Sequence, residues 1–145
     1  MHVLFLCTGN SCRSQMAEGW ARAIAATLPA KDLFEFSSAG LVAHGLNPGA
    51  VAVMAENGVD ITAQTSDVLT DAMLAKADLV VSVCSHADEH CPLLPAGTLK
   101  RHIPFDDPAQ ATGTEAEIEA SFRTVCEQIR GEMEVLVHEL AADKL

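Results

Sequence analysis

The feature that most constrains this chain is a short apolar run that ends in a cysteine. Residues 3–6 form the run, Cys7 follows it, and a small polar loop leads to Arg13, where a helical pattern begins. A strand, a loop and a helix N-terminus in this order form the setting in which α/β proteins bind anions. A loop with the C-x5-R spacing can wrap one tetrahedral oxyanion, because its backbone N–H groups can point inward and its arginine can bind two oxygens.

The residues of this loop form the predicted oxyanion-binding site. They are Thr8, Gly9, Asn10, Ser11, Cys12, Arg13 and Ser14. A guanidinium, inward N–H groups and a helix N-terminus all favour a thiolate, so the sequence predicts a lowered pKa for Cys7 and a nucleophile beneath the bound oxyanion. The alternative is a buried structural cysteine beside a surface arginine. Cys12 lies inside the loop and is the weaker nucleophile candidate.

The charge of the chain limits its partners. Nine basic residues against twenty acidic residues give a formal net charge of −11, which argues against nucleic acid and anionic membranes as partners. No stretch approaches the length of a transmembrane helix, and residues 3–6 are too short for the core of a signal peptide, so we expect a cytoplasmic protein. Five cysteines, an odd number, are more typical there of catalysis, redox chemistry or metal binding than of structural disulfides.

Apolar strands and amphipathic helices alternate along the chain. The pattern predicts strands at residues 3–6, 33–38, 79–83 and 99–103, and helices at 13–28, 47–57, 70–77 and 114–141. This alternation predicts one α/β domain over residues 1–145, with a parallel sheet covered by helices on both faces. Cys7 and Cys84 both follow buried strands, so we expect both at the sheet edge where ligands bind. Cys126 falls beside the apolar stripe of the last helix and is predicted to be core.

A second cluster of chemically active residues follows the third strand. It consists of Cys84, His86, Glu89, His90 and Cys91. Three interpretations compete: a redox pair of Cys84 and Cys91 that works with Cys7, a zinc site of two cysteines and two histidines, and an inert polar loop. Residues 86–90 also match the H-x-x-E-H string of some metalloproteases. The cluster lacks the C-x2-C spacing of common zinc sites, and we favour the redox pair.

A disulfide between Cys84 and Cys91 has a structural requirement. If the segment were helical, a rise of about 1.5 Å per residue would place the two Cα atoms about 10.5 Å apart. A disulfide needs a Cα separation of about 4.4–6.8 Å. The bond therefore requires the segment to unwind or loop out.

The string CTGNSCRSQMAEG at residues 7–19 resembles the signature loop of the low-molecular-weight tyrosine phosphatase superfamily, and most closely its thioredoxin-coupled arsenate reductase branch. The resemblance runs through nearly the whole chain. It implies a small flavodoxin-like sheet of four strands. It also implies an enzyme that reduces arsenate with Cys7, Cys84 and Cys91 acting in turn, Arg13 holding the substrate, thioredoxin as reductant and no required cofactor.

The resemblance also identifies an acid loop. Asp107-Pro108 resembles the acid loop of the family, which makes Asp107 the predicted general acid, while Asp106 is expected to be a solvated carboxylate. The phosphatase branch normally has an aromatic residue after that proline. This chain has Ala109 there and no tyrosine at all, which weakens the alternative of a tyrosine phosphatase.

Five further positions match those that hold a potassium ion in some reductases of this branch. They are Asn10, Glu18, Ser38, Thr65 and Asp67. Oxygen ligands suit a hard cation, so a potassium site is one expectation for this cluster. The alternative is an ordinary hydrogen-bond network in which Asn10 braces the loop.

Overall fold

Four parallel strands form the centre of the protein in the computed structural model, which describes residues 1–144. They are β1 (His2–Cys7), β2 (Glu35–Gly40), β3 (Leu79–Ser82) and β4 (Leu99–His102). The strand order is β2-β1-β3-β4. Strand β1 pairs with β2 and β3, and β3 pairs with β4, in parallel throughout. The predicted four-stranded parallel sheet is confirmed.

Five α-helices connect and cover the strands in this part of the chain. They are α1 (Arg13–Ala25), α2 (Pro48–Glu56), α3 (Asp71–Lys76), α4 (Ser85–Glu89) and α5 (Glu115–Lys144). Crossovers between parallel strands are right-handed in nearly all proteins, and with this strand order that rule places α1 on one face of the sheet and α3 and α4 on the other. Helix α5 packs along α1 and α2. The expected cover on both faces is therefore present. None of the helices within residues 1–144 combines the length and the apolar character needed to span a bilayer.

Polar side chains cap the N-termini of three of the helices, as the sequence predicts. Asn47 Oδ1 accepts the N–H of Gly49 at 2.7 Å at the start of α2, and Thr70 Oγ1 accepts the N–H of Met73 at 3.2 Å at the start of α3. The capping box before α5 is reciprocal. Thr114 Oγ1 accepts the N–H of Glu117 at 3.1 Å, and Glu117 Oε1 accepts that of Thr114 at 3.3 Å. Each pair satisfies backbone donors that a helix end leaves free.

Two element assignments differ from the sequence prediction. The second strand begins later than residue 33, because Lys31–Leu33 forms a 3-10 turn, and its ladder with β1 continues to the pair of Cys7 and Gly40. The segment after Cys84 is the helix α4, which the predicted order of elements left out. The Cys84 sulfur itself accepts the N–H of Ala87 at 3.4 Å and so caps this helix.

The core lies around β1 and the inner face of α5. Val3, Leu4, Phe5 and Leu6 are fully buried, as expected for a central parallel strand. The predicted apolar stripe of α5 is buried from Phe122 to Leu140. Cys126 is buried there too, where the indole N–H of Trp20 donates to its sulfur at 3.4 Å. In contrast, β4 is an edge strand whose four residues are all exposed.

The carboxyl ends of β1 and β3 lie side by side at one edge of the sheet. Strand β1 is followed by a crossover to β2 on one side, and the chain then returns to β3 on the other side of β1. Neighbouring strands whose connections leave in opposite directions open a crevice between them, which is where open α/β sheets bind ligands. Leu6 pairs with Ser82 in this register. Cys7 is the last residue of β1 and Cys84 lies just beyond β3, so both are at this crevice, as predicted.

We expect Gly40→Ala and Gly131→Ala to change stability in opposite directions. A Cβ at Gly40 would lie 2.3 Å from the Val42 carbonyl oxygen and 2.7 Å from the Asn10 nitrogen, whereas a Cβ at Gly131 meets nothing within 4 Å. Overpacking at Gly40 should lower the free energy of unfolding by about 1–3 kcal/mol. Alanine in the α5 interior should raise it by about 0.5–1 kcal/mol.

Urea denaturation of both variants, followed by circular dichroism, measures the two changes. A Gly40→Ala protein as stable as the wild type would contradict the tight packing of β2 against the oxyanion loop.

Candidate active site

The loop between β1 and α1 surrounds a cavity of about 340 Å³ at the crevice. The cavity is lined by Cys7, Thr8, Gly9, Ser11, Cys12, Arg13, His44, Asp107, Ala109 and Gln110. Most of the predicted oxyanion-binding residues thus line the same cavity as the predicted general acid, Asp107. Asn10 and Ser14 are fully buried behind the loop instead, so their side chains support it from outside the cavity.

The backbone of the loop turns its carbonyl groups away from the cavity. The carbonyl oxygen of Thr8 accepts the N–H of Val42 at 3.0 Å, and that of Gly9 accepts the N–H of His44 at 2.9 Å. The carbonyl oxygen of Ser11 accepts the N–H of Asn47 at 3.0 Å. Residues 41–47 therefore wrap around the loop and hold its carbonyls outside. With these carbonyls held outside, the N–H groups of the loop are free to face inward, the arrangement that binds an anion.

Asn10 fixes the shape of the loop. Its φ of 46° lies in the left-handed region, which asparagine tolerates better than most residues. Its Nδ2 donates to the hydroxyls of Ser14 and Ser38, both at 2.9 Å. Its Oδ1 accepts the N–H of Asp67 at 2.8 Å. Both polar ends of this fully buried side chain are therefore satisfied, and they tie the loop to α1, β2 and the segment beyond β2.

Arg13 and Asp107 close the cavity opposite Cys7. Arg13 Nη1 donates to the carbonyl oxygen of Phe105 at 3.1 Å, and its Nη2 lies 3.4 Å from Asp107 Oδ2. Asp107 Oδ1 accepts the N–H of Ala109 at 3.0 Å. The guanidinium is 13% exposed, so its charge acts on the cavity with little screening by water. Asp106 is exposed, as expected for a solvated carboxylate.

Cys84 lies beside Cys7 at the floor of the site. Both thiols are 3% exposed. The Thr8 hydroxyl and the Cys84 sulfur are 3.3 Å apart, and the N–H of Ala87 donates to the same sulfur at 3.4 Å. An interaction with the Cys7 thiol, these two donors and the Arg13 charge together lower the pKa of Cys84 to about 5. Burial opposes this change but is outweighed.

The two buried sulfurs shift each other's pKa in opposite directions. The Cys84 sulfur raises the pKa of Cys7, with burial acting in the same direction, and this outweighs the lowering by Arg13 and by the N–H of Ser14. The expectation of a lowered pKa for Cys7 is therefore wrong for the resting site. Two interacting thiols titrate as one unit, so the pair loses its first proton easily and its second with difficulty. At neutral pH the pair carries one negative charge.

The other cysteines are less ionised. Burial, followed by the charge of Asp107, raises the pKa of Cys12 to about 12, which agrees with its rank as the weaker nucleophile. Burial also raises the pKa of Cys91. Cys91 follows α4, and its N–H donates to the carbonyl oxygen of Asp88 at 3.4 Å. The helix α4 lies between Cys84 and Cys91, and the unwinding that a bond between them would require stays a prediction.

Comparison with known proteins places this arrangement in a family. Residues 2–145 match the family described as low molecular weight phosphotyrosine protein phosphatase. The chain belongs to this family. It is 50% identical over 127 residues to an arsenate reductase of Halalkalibacterium halodurans and to one of Bacillus subtilis, and covers 88% of each chain. A solved structure described as an arsenate reductase in the phosphate-binding state is 32% identical, with a TM-score of 0.70 and coverage of 95% of this chain and 97% of that chain.

The rim of the cavity departs from the phosphatase pattern of the family. Ala109 lines the cavity in the place where an aromatic residue was expected for a tyrosine phosphatase. No Phe, Trp or Tyr is among the residues that line it. A phenyl ring of a substrate would find no Phe, Trp or Tyr ring among these residues, and the imidazole of His44 is the aromatic ring that lines the cavity. This departure weakens the alternative of a tyrosine phosphatase.

The residues predicted to bind potassium are brought together, but their polar atoms already bind one another. The Ser38 hydroxyl donates to Glu18 Oε1 at 2.6 Å, and the Thr65 hydroxyl donates to Asp67 Oδ2 at 2.6 Å. Arg22 Nη2 lies 2.6 Å from Glu18 Oε2. The Arg22 guanidinium therefore supplies the positive charge that a cation would bring. The cluster fits a hydrogen-bond network as arranged, and potassium binding stays a prediction.

The zinc interpretation of the segment after β3 receives no geometric support. Within residues 1–144, no three His, Cys, Asp or Glu side chains are placed to share a metal ion. The rings of His86 and His90 contact each other in a tilted arrangement, with centroids 4.3 Å apart. Cys84 points to Thr8 and Cys7 instead. Cys84 and the two histidines therefore make separate contacts.

Two contributors to the site were missed by the sequence analysis. His44 lines the cavity, and its ring lies so close to Gly9 that a Cβ there would be 2.5 Å from Nδ1. Thr8 was assigned to the oxyanion loop alone, whereas its hydroxyl contacts Cys84. No motif marks His44, because only the tertiary wrapping of residues 41–47 brings it to the loop. The Thr8 contact was foreseeable from the shared edge of β1 and β3.

Replacing either thiol of the pair should change the titration of the other. Cys84→Ala should lower the pKa of Cys7, because it removes the largest cause of its rise. Cys7→Ala should raise the pKa of Cys84, because it removes the largest cause of its lowering. Thiolate absorbance in the ultraviolet, followed against pH, measures both, and the wild type should form one thiolate at a pH of about 5.

Cys126→Ser serves as the control, because burial raises the pKa of Cys126 and this thiol should contribute no thiolate in that range. If each alanine variant left the titration of the remaining thiol unchanged, the two sulfurs would not share a charge.

Proposed function

We propose that this chain is an arsenate reductase that passes two electrons to arsenate through Cys7, Cys84 and Cys91 in turn. The observation that carries the proposal is the second buried thiol, Cys84, held beside Cys7 by Thr8 and the start of α4. Hydrolysis of a phosphate ester needs one thiol and water. A low-pKa thiol beside the nucleophile is what disulfide chemistry needs. The curated relatives of this length and similarity carry the same name.

The first step forms a bond between sulfur and arsenic. The loop N–H groups and Arg13 bind the oxygens of arsenate, and the Cys7 sulfur attacks arsenic. The thiol pair carries one negative charge, so the proton that Cys7 gives up can pass to Cys84, which leaves the charge on the attacking sulfur. Asp107 lies on the Arg13 side of the cavity and gives a proton to the departing hydroxyl, which leaves as water. Arsenic is still pentavalent after this step.

The second step transfers the electrons. Cys84 loses its proton to solvent again, and its thiolate attacks the Cys7 sulfur. The bond between sulfur and arsenic breaks, and its electron pair stays on arsenic, which becomes trivalent and leaves as arsenite. Cys7 and Cys84 are then joined by a disulfide. The sulfurs of Cys7 and Cys84 already interact in the resting site, so this attack needs no rearrangement of the backbone.

The third step restores Cys7. Cys91 loses its proton and attacks the Cys84 sulfur, Cys7 leaves as a thiolate, and a disulfide between Cys84 and Cys91 remains. This step requires α4 to unwind. An external dithiol then supplies two electrons and two protons, and thioredoxin is our proposed reductant. Unwinding would expose the disulfide to such a partner, whereas α4 keeps Cys84 buried in the resting site.

These steps need no cofactor. Potassium binding at the Glu18 cluster remains a prediction, and Arg22 would compete with the ion for the carboxylate. A cytoplasmic location also stays a prediction from the sequence. Arsenate suits this site as a substrate because the loop can hold a tetrahedral oxyanion and because the thiol pair can reduce it.

The order of the thiols can be tested by trapping the intermediates. Cys91→Ser should release one arsenite per chain and stop as a disulfide between Cys7 and Cys84, because the third step is blocked. Cys84→Ser should release no arsenite by this route. Arsenite analysis and non-reducing peptide mapping after addition of arsenate measure both outcomes.

Cys126→Ser is the matched control for loss of a buried thiol, and it should turn over as the wild type does. Normal arsenite release by Cys84→Ser, with a disulfide between Cys7 and Cys91, would show that the order is wrong.

A weak phosphatase activity is expected beside the reductase activity. Phosphate and arsenate share charge and shape, and the oxyanion loop is common to the family. Without an aromatic rim the protein should hydrolyse p-nitrophenyl phosphate slowly and phosphotyrosine peptides no faster. Arsenate should cause NADPH oxidation when thioredoxin and its reductase are present. Efficient turnover of phosphotyrosine peptides, with no arsenate-dependent NADPH oxidation, would assign the chain to the phosphatases instead.

A further inference from the structure

Asp88 connects the segment between Cys84 and Cys91 to the sheet. It lies in α4, and its Oδ1 accepts the Ser82 hydroxyl at 2.9 Å. The same oxygen lies 2.8 Å from Lys100 Nζ and 3.8 Å from His102 Nδ1. Lys100 Nζ also donates to the Asp88 carbonyl oxygen at 3.4 Å. One residue of α4 is therefore bound to β3 and to β4 at once.

The partners of Asp88 are themselves held in place. Ser82 is fully buried, and its hydroxyl also contacts His102 Nδ1 at 2.8 Å. Ser82 and His102 are paired in the register of β3 and β4. Because these partners belong to the sheet, they stay where they are when α4 moves. The Lys100 ammonium and the Ser82 hydroxyl hold the pKa of Asp88 below its usual range, so the contacts favour the charged carboxylate.

Asp88 lies within the segment that must change its backbone when the Cys84–Cys91 disulfide forms. Its contacts to Ser82 and Lys100 cannot all be kept in that change. Asp88 lies four residues after Cys84 and three before Cys91. Seven residues of an ideal helix would separate the two Cα atoms by about 10.5 Å, whereas a disulfide needs about 4.4–6.8 Å, so the backbone between them has to leave the helix. The middle of that backbone is where Asp88 is attached. Its contacts to Ser82 and Lys100 therefore stabilise the helical, reduced segment alone.

We propose that Asp88 is a positioning residue that holds α4 on the sheet and thereby sets when Cys91 reaches Cys84 and how oxidising their disulfide is. This rests on the proposed function, in which Cys91 attacks Cys84 and Cys7 departs as a thiolate. Contacts made only in the dithiol form stabilise it relative to the disulfide. They raise the reduction potential of the pair, which makes the disulfide easier for an external dithiol to reduce.

Asp88→Asn separates the charge from the shape of the side chain. The amide oxygen can still accept the Ser82 hydroxyl, whereas the attraction to Lys100 is lost. The control is Glu89→Gln, which removes the same charge from the next position of α4, where the side chain is exposed. Lys100→Gln removes the partner from the sheet and leaves α4 unchanged in sequence, so it tests the same contact if Asp88→Asn folds poorly.

The measurement is the reduction potential of the Cys84–Cys91 disulfide in full-length protein, equilibrated in dithiothreitol buffers and quantified by thiol labelling and peptide mapping. We expect Asp88→Asn to favour the disulfide about tenfold, which corresponds to a potential about 30 mV more negative. Lys100→Gln should shift it in the same direction, and Glu89→Gln should leave it unchanged. The disulfide should also form faster in Asp88→Asn after one turnover with arsenate.

Equal potentials in the wild type, Asp88→Asn and Lys100→Gln would overturn the role of Asp88 while leaving the thiol cascade intact. An equal shift in Glu89→Gln would also overturn it, because loss of charge on α4 would then suffice. Absence of any Cys84–Cys91 disulfide in the wild type, at every potential, would instead remove the proposed function on which this inference rests.

Discussion

One negative charge shared by two buried thiols is the interaction on which the site depends. The Arg13 guanidinium acts on both sulfurs, and Thr8 and the first turn of α4 donate to Cys84. A buried thiolate without such donors would be costly. The surrounding structure supplies them: β1 and β3 bring the sulfurs together, and residues 41–47 hold the loop carbonyls outside the cavity. These contacts, together with the Arg13 charge, stabilise the buried negative charge.

The overall charge of the protein makes this local arrangement necessary. A chain with a formal net charge of −11 repels anions at long range. Binding of an oxyanion therefore depends on inward N–H groups and on one guanidinium that is nearly buried and weakly screened. The same Arg13 is anchored to the Phe105 carbonyl and to Asp107. Arg13 thus connects the oxyanion loop to the loop that carries Asp107.

The elements that depend on local sequence were predictable, and the charges that depend on tertiary contacts were not. Apolar periodicity and capping residues predicted the strands and the starts of α2, α3 and α5. Shared sheet topology predicted that Cys7 and Cys84 would meet. The sharing of one charge between Cys7 and Cys84 was not predicted, because it depends first on the contact between the two sulfurs and then on the Thr8 and Ala87 donors. Arg22 beside Glu18, and His44 beside Gly9, likewise depend on contacts between distant segments.

The most direct test of the account is a single turnover of the fully reduced protein with arsenate and no external reductant. The thiol pair and Cys91 together hold the two electrons for one arsenate. We therefore predict one arsenite per chain and the loss of two of the five free thiols, with the disulfide between Cys84 and Cys91. Arsenate left unreduced, with all five thiols still free, would contradict the claim that Cys84 completes a reductase site beside Cys7.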